Sequence, residues 1–182
     1  PNYVALTFDD GPHQTCTPAL LNGLKQRGVK ATFFLMGENI AGKEPLVQRM
    51  QAEGHLIGNH TFHHVQLTKV SEEEAREEVV KTNNAIYEIT GEYPVYIRPP
   101  FGEWREGLDL VVTMIPVLWD VDSRDWESQN TASICSEVLP NVKDGSIIPM
   151  HDGYRATVEA LRRIVKELSR RPSGLRKTTT SP

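Results

Sequence analysis

The feature that most constrains the fold is a regular alternation of short apolar runs with longer amphipathic segments. Short runs rich in β-branched and aromatic residues are typical of buried strands, and apolar residues at helical spacing indicate helices. The predicted strands cover 3–8, 31–35, 55–58, 95–98, 114–119 and 146–148. The predicted helices cover 18–27, 45–53, 71–90, 131–139 and 157–169. Strands that alternate with helices favour the α/β class with a parallel sheet, either open or closed into a barrel.

Length and charge restrict the kind of protein further. A chain of 182 residues is expected to form one folded domain, here 1–169, followed by a polar tail over 170–182. The net charge of −4 gives no indication of nucleic-acid binding, and charged residues interrupt every apolar run before it reaches the length of a membrane span. Cys16 and Cys135 are far apart and lack metal-site spacing, so we expect two free thiols.

Polar side chains follow several of the predicted strands directly. In parallel α/β folds, functional groups collect at the carboxyl ends of the strands, so these residues are expected to meet at one rim. They are Asp9, Asp10, His60, Arg98, Asp122 and His151.

The run His60-Thr61-Phe62-His63-His64 contains donors typical of a metal site. His60 and His64 share a face if the segment is helical, and together with Asp10 they would supply the three protein ligands of a catalytic metal centre. His60 and His63 could chelate equally well. Spacing alone leaves this choice open.

The remaining rim residues indicate proton transfer. Arg98 would sit beside two carboxylates, where a guanidinium favours the ionised form. His151, paired with a carboxylate such as Asp122, would be oriented and kept protonated, as a general acid requires.

Five segments, "TFDDGP", "HTFHH", "RPPFG", "DSRDW" and "MHD", occur in this order over residues 3–168. They resemble the five motifs of the polysaccharide deacetylases, the NodB-homology group of carbohydrate esterases. The resemblance implies an irregular (β/α) barrel with fewer than eight strands, with 1–169 as the catalytic domain. Three departures are Pro149, at a position where the family usually has Leu, Val65, where the second motif usually continues into Pro, and the absence of an apolar strand pattern after the last helix.

The resemblance also implies a division of labour around one divalent metal ion. Asp10, His60 and His64 would hold it, with Zn²⁺ expected and Co²⁺ or another divalent ion as alternatives. Asp9 would act as the base towards the attacking water. Arg98 would hold Asp9 in place.

The other implied roles concern the substrate. The backbone N–H of Phe101 would contribute to an oxyanion hole, and His151 would protonate the departing amine, with Asp122 tuning it. Trp126 and Phe101 would line the sugar groove.

The predicted activity is removal of acetyl groups from a glycan, first of all from N-acetylglucosamine units of peptidoglycan or chitin-like oligomers. Alternatives are O-deacetylation of acetylated xylan and glycan binding without catalysis. A two-metal phosphoesterase is disfavoured because the sequence offers one good ligand set. The implied partner is an acetylated poly- or oligosaccharide. We expect a monomer that is secreted or lies at the cell surface, a location inferred from the substrate class.

Overall fold

The structure is a computed structural model that describes residues 3–171. Six strands form one all-parallel sheet in the order β5-β4-β3-β2-β1-β6. The strands are β1 (Ala5–Gly11), β2 (Thr32–Leu35), β3 (Leu56–Asn59), β4 (Tyr96–Ile97), β5 (Ile115–Pro116) and β6 (Ile147–His151). The helices are α1 (Cys16–Arg27), α2 (Glu44–Ala52), α3 (Glu72–Thr90), α4 (Asp125–Ser128), α5 (Thr131–Val138) and α6 (Arg155–Arg170).

The two edges of the sheet approach each other through the segment that follows β5. The N–H groups of Asp120 and Val121 donate to the carbonyl of Ile147 in β6 (3.2 and 3.3 Å). The Asp120 carboxylate accepts from the N–H of Ile147 (2.6 Å). The six strands therefore curl towards a barrel that is incompletely closed, which confirms the predicted irregular (β/α) barrel with fewer than eight strands.

The main core lies between the sheet and the helices around it. Phe8 of β1 and Phe33 of β2 stack at 5.3 Å between ring centroids. Leu24 of α1 and Ile164 of α6 are fully buried in the same cluster. Each such side chain stabilises the fold by about 1.5–3 kcal/mol through removal of apolar surface from water.

The helices begin and end where the sequence provides signals. The Ser71 side chain accepts a hydrogen bond from the N–H of Glu74 (3.1 Å) and caps the longest helix, α3. Helix α1 ends at Gly28, which adopts the left-handed conformation (φ 63°). Helix α6 includes Arg170, the first residue of the predicted tail, and residues 172–182 of that tail lie outside the described residues.

Pro149 lies within β6, where it pairs with Thr7 of β1. Strand β6 is an edge of the sheet, and proline is tolerated there because one side of an edge strand needs no ladder hydrogen bond.

Cys16 and Cys135 are free thiols, as expected. Among the helices of residues 3–171, none has the length and apolar character required to span a bilayer.

Candidate active site

Four strands bring the site together at their carboxyl ends. Strand β1 provides Asp9 and Asp10, and β6 ends at His151. His60 follows β3 directly, and Arg98 follows β4. Five of the six residues predicted for the rim, all except Asp122, are therefore found at these strand ends.

A β-bulge explains how two adjacent carboxylates both serve this rim. In the pairing of β1 with β2, Asp9 lies opposite Phe34 and Gly11 opposite Leu35, so Asp10 is an extra residue with φ 73°. Successive side chains of a regular strand point to opposite faces, and a bulge changes this alternation. The carbonyl of the bulged Asp10 accepts from the Asn39 side chain (2.8 Å).

Asp10, His60 and His64 form a cluster of potential metal ligands. Their ligand atoms all lie within 4.8 Å of one another. Asp10 Oδ1 is 3.1 Å from His60 Nε2 and 3.6 Å from His64 Nε2.

The chemistry of these donors fits a cation. His60 Nδ1 lies 2.6 Å from the backbone carbonyl of Arg98, which can only accept, so Nδ1 carries the hydrogen. In the neutral ring the Nε2 lone pair then faces Asp10 Oδ1, which is buried and has no hydrogen-bond partner among the described residues. Two lone pairs at this distance require a positive charge between them. A backbone carbonyl that orients a ligating imidazole is also the usual support in metal sites.

The pKa shifts within this cluster agree with that requirement. Burial acts to raise the pKa of Asp10, but His60, and then His151 and His64, outweigh it and lower that pKa. Burial acts to lower the pKa of His60, but Asp10 and Asp9 raise it. For His64, burial and the charge of His60 lower the pKa, which favours the neutral imidazole that metals bind.

The segment from His60 to His64 is a loop, so the two imidazoles do not share a helical face as the spacing argument assumed. Their positions come from the backbone, with left-handed conformations at Thr61 (φ 62°) and His64 (φ 59°). The buried Asn59 side chain accepts from the N–H of Thr61 (2.8 Å) and donates to Asn83 of α3 (2.8 Å). The loop is thereby fixed to the longest helix.

His63 lies in a different environment from its two neighbours. Its Nδ1 is 2.7 Å from Glu78 Oε2, and its backbone N–H donates to Glu78 Oε1 (2.7 Å). Glu78 belongs to α3 and is buried. Of the two chelation patterns that spacing left open, the structure brings only His60 and His64 to Asp10.

Asp9 and Arg98 form a buried ion pair. Arg98 Nη1 donates to Asp9 Oδ1 (2.8 Å) and to Thr7 Oγ1 (2.6 Å), and the guanidinium is fully buried. It also lies over the Phe34 ring, 4.5 Å from its centroid. A planar guanidinium held on so many sides fixes the carboxylate of Asp9 in one orientation.

The partner of His151 is Asp125, which corrects the expectation that Asp122 plays this part. His151 Nδ1 lies 2.6 Å from Asp125 Oδ1, and its N–H donates to Asp125 Oδ2 (2.7 Å). Asp122 is exposed, and its carboxylate accepts from the N–H of Arg124 (2.9 Å). The "DSRDW" segment contains both acids, and the short helix α4, which starts at Asp125, turns only the second one inwards.

Asp125 is fully buried and has several donors besides His151. Thr157 Oγ1 (2.7 Å) and the N–H of Trp126 (2.8 Å) both donate to it. Burial acts to lower the pKa of His151, but Asp125, and then Asp9 and Asp10, raise it to about 9. His151 Nε2 faces the cluster of potential metal ligands and lies 3.9 Å from Asp10 Oδ2.

Phe101 and Trp126 both lie near this rim with exposed rings. Phe101 has φ 62° in the 3₁₀ turn Pro100–Gly102, the residue is 64 % exposed, and its ring packs edge-on against His64 at 5.0 Å between centroids. Trp126 lies in α4 and is 52 % exposed. Left-handed backbone at non-glycine residues is strained and tends to cluster at functional sites, and Asp10, His64 and Phe101 all show it.

A cleft of about 400 Å³ opens beside the cluster, within the size range of small-ligand sites. Asp10 and His151 are among the residues that line it. The residues that line the rest include His13, Asn39, Lys43 and Tyr154.

Comparisons with known proteins agree with this architecture. Residues 1–115 match the family model described as polysaccharide deacetylase. A Bacillus cereus peptidoglycan-N-acetylglucosamine deacetylase is 43 % identical over 172 residues, covering 91 % of this chain and 62 % of that protein. A Bradyrhizobium chitooligosaccharide deacetylase is 40 % identical, covering 83 % of this chain and 71 % of that protein. The structure of the peptidoglycan deacetylase PdaC from Bacillus subtilis superimposes with a TM-score of 0.88 at 37 % identity, covering 92 % of this chain and 83 % of that chain.

The fold and the site together define an α/β protein with a cluster of potential metal ligands at the carboxyl ends of its strands. The chain belongs to the polysaccharide deacetylase family. It spans less than two thirds of the Bacillus cereus relative, and as little as 34 % of another curated relative that it matches.

Proposed function

We propose that this protein is a metal-dependent hydrolase that removes the N-acetyl group from N-acetylglucosamine units of peptidoglycan or chitin-like oligomers. The observation that supports this most strongly is the placement of three groups at one rim. The cluster of Asp10, His60 and His64 lies beside the Asp9–Arg98 ion pair and faces the His151–Asp125 pair. The relatives named for peptidoglycan and chitooligosaccharide deacetylation support the same substrate class.

Asp10, His60 and His64 would hold one divalent ion, with Zn²⁺ as the expected metal because its usual ligands are imidazole and carboxylate. When bound, such an ion acidifies water and stabilises negative charge on a polarised carbonyl oxygen.

Asp9 is the proposed base. Its carboxylate lies one residue before Asp10, is almost completely buried, and cannot rotate away because Arg98 holds Oδ1. The other oxygen of Asp9 takes the proton from the attacking water, and the guanidinium balances the charge of the buried carboxylate.

Phe101 and His151 are proposed to act on the substrate from opposite sides. The backbone N–H of Phe101 donates to the carbonyl oxygen as negative charge develops there. His151, held by Asp125 through Nδ1, presents Nε2 to the nitrogen that leaves. Trp126 and the Phe101 ring are proposed to contact the sugar.

The His151–Asp125 pair favours an amide over an ester as the natural substrate. An amine leaves readily only after protonation, whereas the alcohol released from an ester depends less on an acid. Asp125 is a buried carboxylate that accepts four hydrogen bonds and stabilises the protonated form of His151. Hydrolysis of an ester would not require an acid that is supported so strongly. O-deacetylation of acetylated xylan is therefore the second candidate.

Mass-spectrometric product analysis tests the proposal. Chitotetraose, a muropeptide and acetylated xylan are incubated separately with wild-type protein and with the Asp9→Asn variant, whose fold is checked by circular dichroism. We expect a mass loss of one acetyl group per reaction from an N-acetylated substrate with the wild type, and none with Asp9→Asn. Equal turnover by the variant removes Asp9 from the mechanism, and turnover of xylan alone makes the protein an esterase.

A further inference from the structure

We propose that Lys43, assisted by His13, forms a carboxylate-binding subsite that makes the protein prefer acetylated glycans with acidic substituents, such as the lactyl group of N-acetylmuramic acid, over neutral chitin-like chains. This inference rests on the proposed deacetylase function and narrows its substrate class.

A chain of hydrogen bonds fixes Lys43 close to the metal cluster. The backbone carbonyl of Asp10 accepts from Asn39 Nδ2 (2.8 Å), and the backbone carbonyl of Asn39 accepts from Lys43 Nζ (3.1 Å). Asn39 thus links the Lys43 ammonium group to Asp10, a predicted metal ligand. Lys43 and Asp10 line the same cleft of about 400 Å³.

The positive charge of Lys43 is not neutralised within the described part of the chain. Over residues 3–171 no carboxylate forms an ion pair with its ammonium group, whose hydrogen-bond partner is a carbonyl. The neighbouring Glu44 is exposed, and its carboxylate accepts from the N–H of Gly42 (3.1 Å). Lys43 also precedes helix α2, whose N-terminal end adds partial positive charge.

His13 adds a hydrogen-bond donor to the same cleft. Its Nδ1 accepts from the N–H groups of Cys16 (3.1 Å) and Thr15 (3.3 Å) at the start of α1. Because Nδ1 is used as an acceptor, the hydrogen of the neutral ring is on Nε2, which is left to donate.

The cleft is therefore lined by groups of different charge. Asp10 is the one carboxylate among its lining residues, and it faces His60 and His64. Lys43 and His13 add an ammonium group and an imidazole N–H to the same cleft. For a sugar whose acetamido group lies at Asp10, His60 and His64, a carboxylate on a neighbouring substituent is the group that complements Lys43 and His13 in the same cleft.

The test compares two tetrasaccharides of equal length at low ionic strength. One is chitotetraose, which is neutral, and the other alternates N-acetylglucosamine with N-acetylmuramic acid. We expect the wild-type kcat/KM to be about five- to tenfold higher for the acidic substrate. We expect this ratio to fall to about one in Lys43→Met, to persist in Lys43→Arg, and to decrease with added salt.

Lys25→Met is the matched control, since Lys25 is an exposed lysine of α1 outside the cleft, and it should keep the wild-type ratio. The proposed subsite is rejected if the kcat/KM ratio is the same in Lys43→Met and wild type, or if the wild type shows no preference for the acidic substrate. In either case deacetylation of both substrates continues. Absence of turnover on both tetrasaccharides in the wild type contradicts the proposed function itself, so the two failures are distinguishable.

Discussion

At the scale of single residues, the site depends on two adjacent carboxylates that have separate surroundings. The bulge at Asp10 directs this residue to two imidazoles, while Asp9 is held by a buried guanidinium. Two acids side by side without partners would raise each other's pKa. Here Asp9 pairs with the Arg98 guanidinium, and Asp10 forms a potential metal site with two imidazoles.

The choice between His63 and His64 is tested by metal content. His64→Ala removes one of three ligands, so we expect metal affinity to fall by more than tenfold. His63→Ala breaks a contact with Glu78 on α3 and leaves the cluster intact, so its metal content should stay near wild type. Both variants are dialysed against buffered Zn²⁺ and measured by inductively coupled plasma mass spectrometry. Loss of metal in His63→Ala with retention in His64→Ala would reassign the ligand.

Substitutions of the two acids in the "DSRDW" segment give a second pair of matched variants. Asp125→Asn removes the charge that orients His151 and supports its protonated form, so we expect kcat on an N-acetylated oligosaccharide to fall by about 10²-fold or more. Asp122→Asn changes an exposed carboxylate and should leave kcat within about twofold. A lower kcat for Asp122→Asn than for Asp125→Asn in steady-state assays would contradict the assignment of Asp125 as the partner of His151.

Much of this rim was accessible from sequence, because the carboxyl ends of parallel strands meet and polar residues follow those strands. The sequence could not decide between Asp122 and Asp125, since both lie in one loop and a four-residue helix determines which side chain points inwards. The spacing argument also placed His60 and His64 on one face through helical geometry, whereas left-handed residues of a loop bring them together. Both errors concern short irregular segments, for which periodicity contains no information.

At the scale of elements, the ligand-bearing loop is held by the 3₁₀ turn Gly37–Asn39. The N–H groups of Gly37 and Glu38 donate to the carbonyls of Thr61 (2.9 Å) and Phe62 (3.1 Å). Gly37 is in close contact with the Phe62 ring and with Thr82 of α3, so there is no room for a side chain. This turn therefore sets the distance between the histidine loop and the sheet.

Gly37→Ala tests that role. An added methyl group would overlap Phe62 and lie 2.6 Å from Thr82 Oγ1, so we expect lower stability together with weaker metal binding. Gly23→Ala is the control, because it lies in α1 with ordinary contacts of 3.6 Å, and alanine is favoured over glycine in a helix by about 1 kcal/mol. Thermal denaturation with and without Zn²⁺ measures both effects. A Gly37→Ala protein as stable and as responsive to Zn²⁺ as wild type would show that the turn does not position the loop.

The strands were predicted at the correct places, but β4 and β5 are much shorter than the apolar runs that indicated them. Each contains only two residues. The carbonyls of Val117 and Leu118, beyond β5, accept from the Arg98 guanidinium (3.3 Å each) instead of a neighbouring strand. A buried arginine that replaces strand pairing is a tertiary feature, and sequence periodicity cannot reveal it.

At the scale of the whole molecule, His55 makes stability depend on pH away from the site. It is buried immediately before β3, its Nδ1 accepts from the N–H of Ala31 (3.1 Å), and burial lowers its pKa to about 4. An unfolded chain has the ordinary value of 6.5, so between about pH 6.5 and 4 it binds a proton that the folded chain does not. Stability contributed by neutral His55 is therefore lost as the pH falls through this window, by about 3 kcal/mol.

His55→Asn retains an acceptor oxygen and removes the titration. We expect its free energy of unfolding, from urea titrations at pH 7 and pH 4.5, to decrease less on acidification than that of the wild type. Comparing this difference within each protein separates titration from any loss of packing. An identical decrease in the two proteins would exclude His55 as a cause of acid sensitivity.

The measurement that bears most directly on the account is deacetylation of N-acetylglucosamine oligomers before and after removal of divalent ions. The protein is treated with chelator, passed through a desalting column, assayed, and then reconstituted with one equivalent of Zn²⁺ or Co²⁺. We expect activity to disappear on stripping and to return in proportion to bound metal, with Asp10→Ala neither binding metal nor recovering. Undiminished deacetylation by protein shown to be free of metal would contradict the central claim.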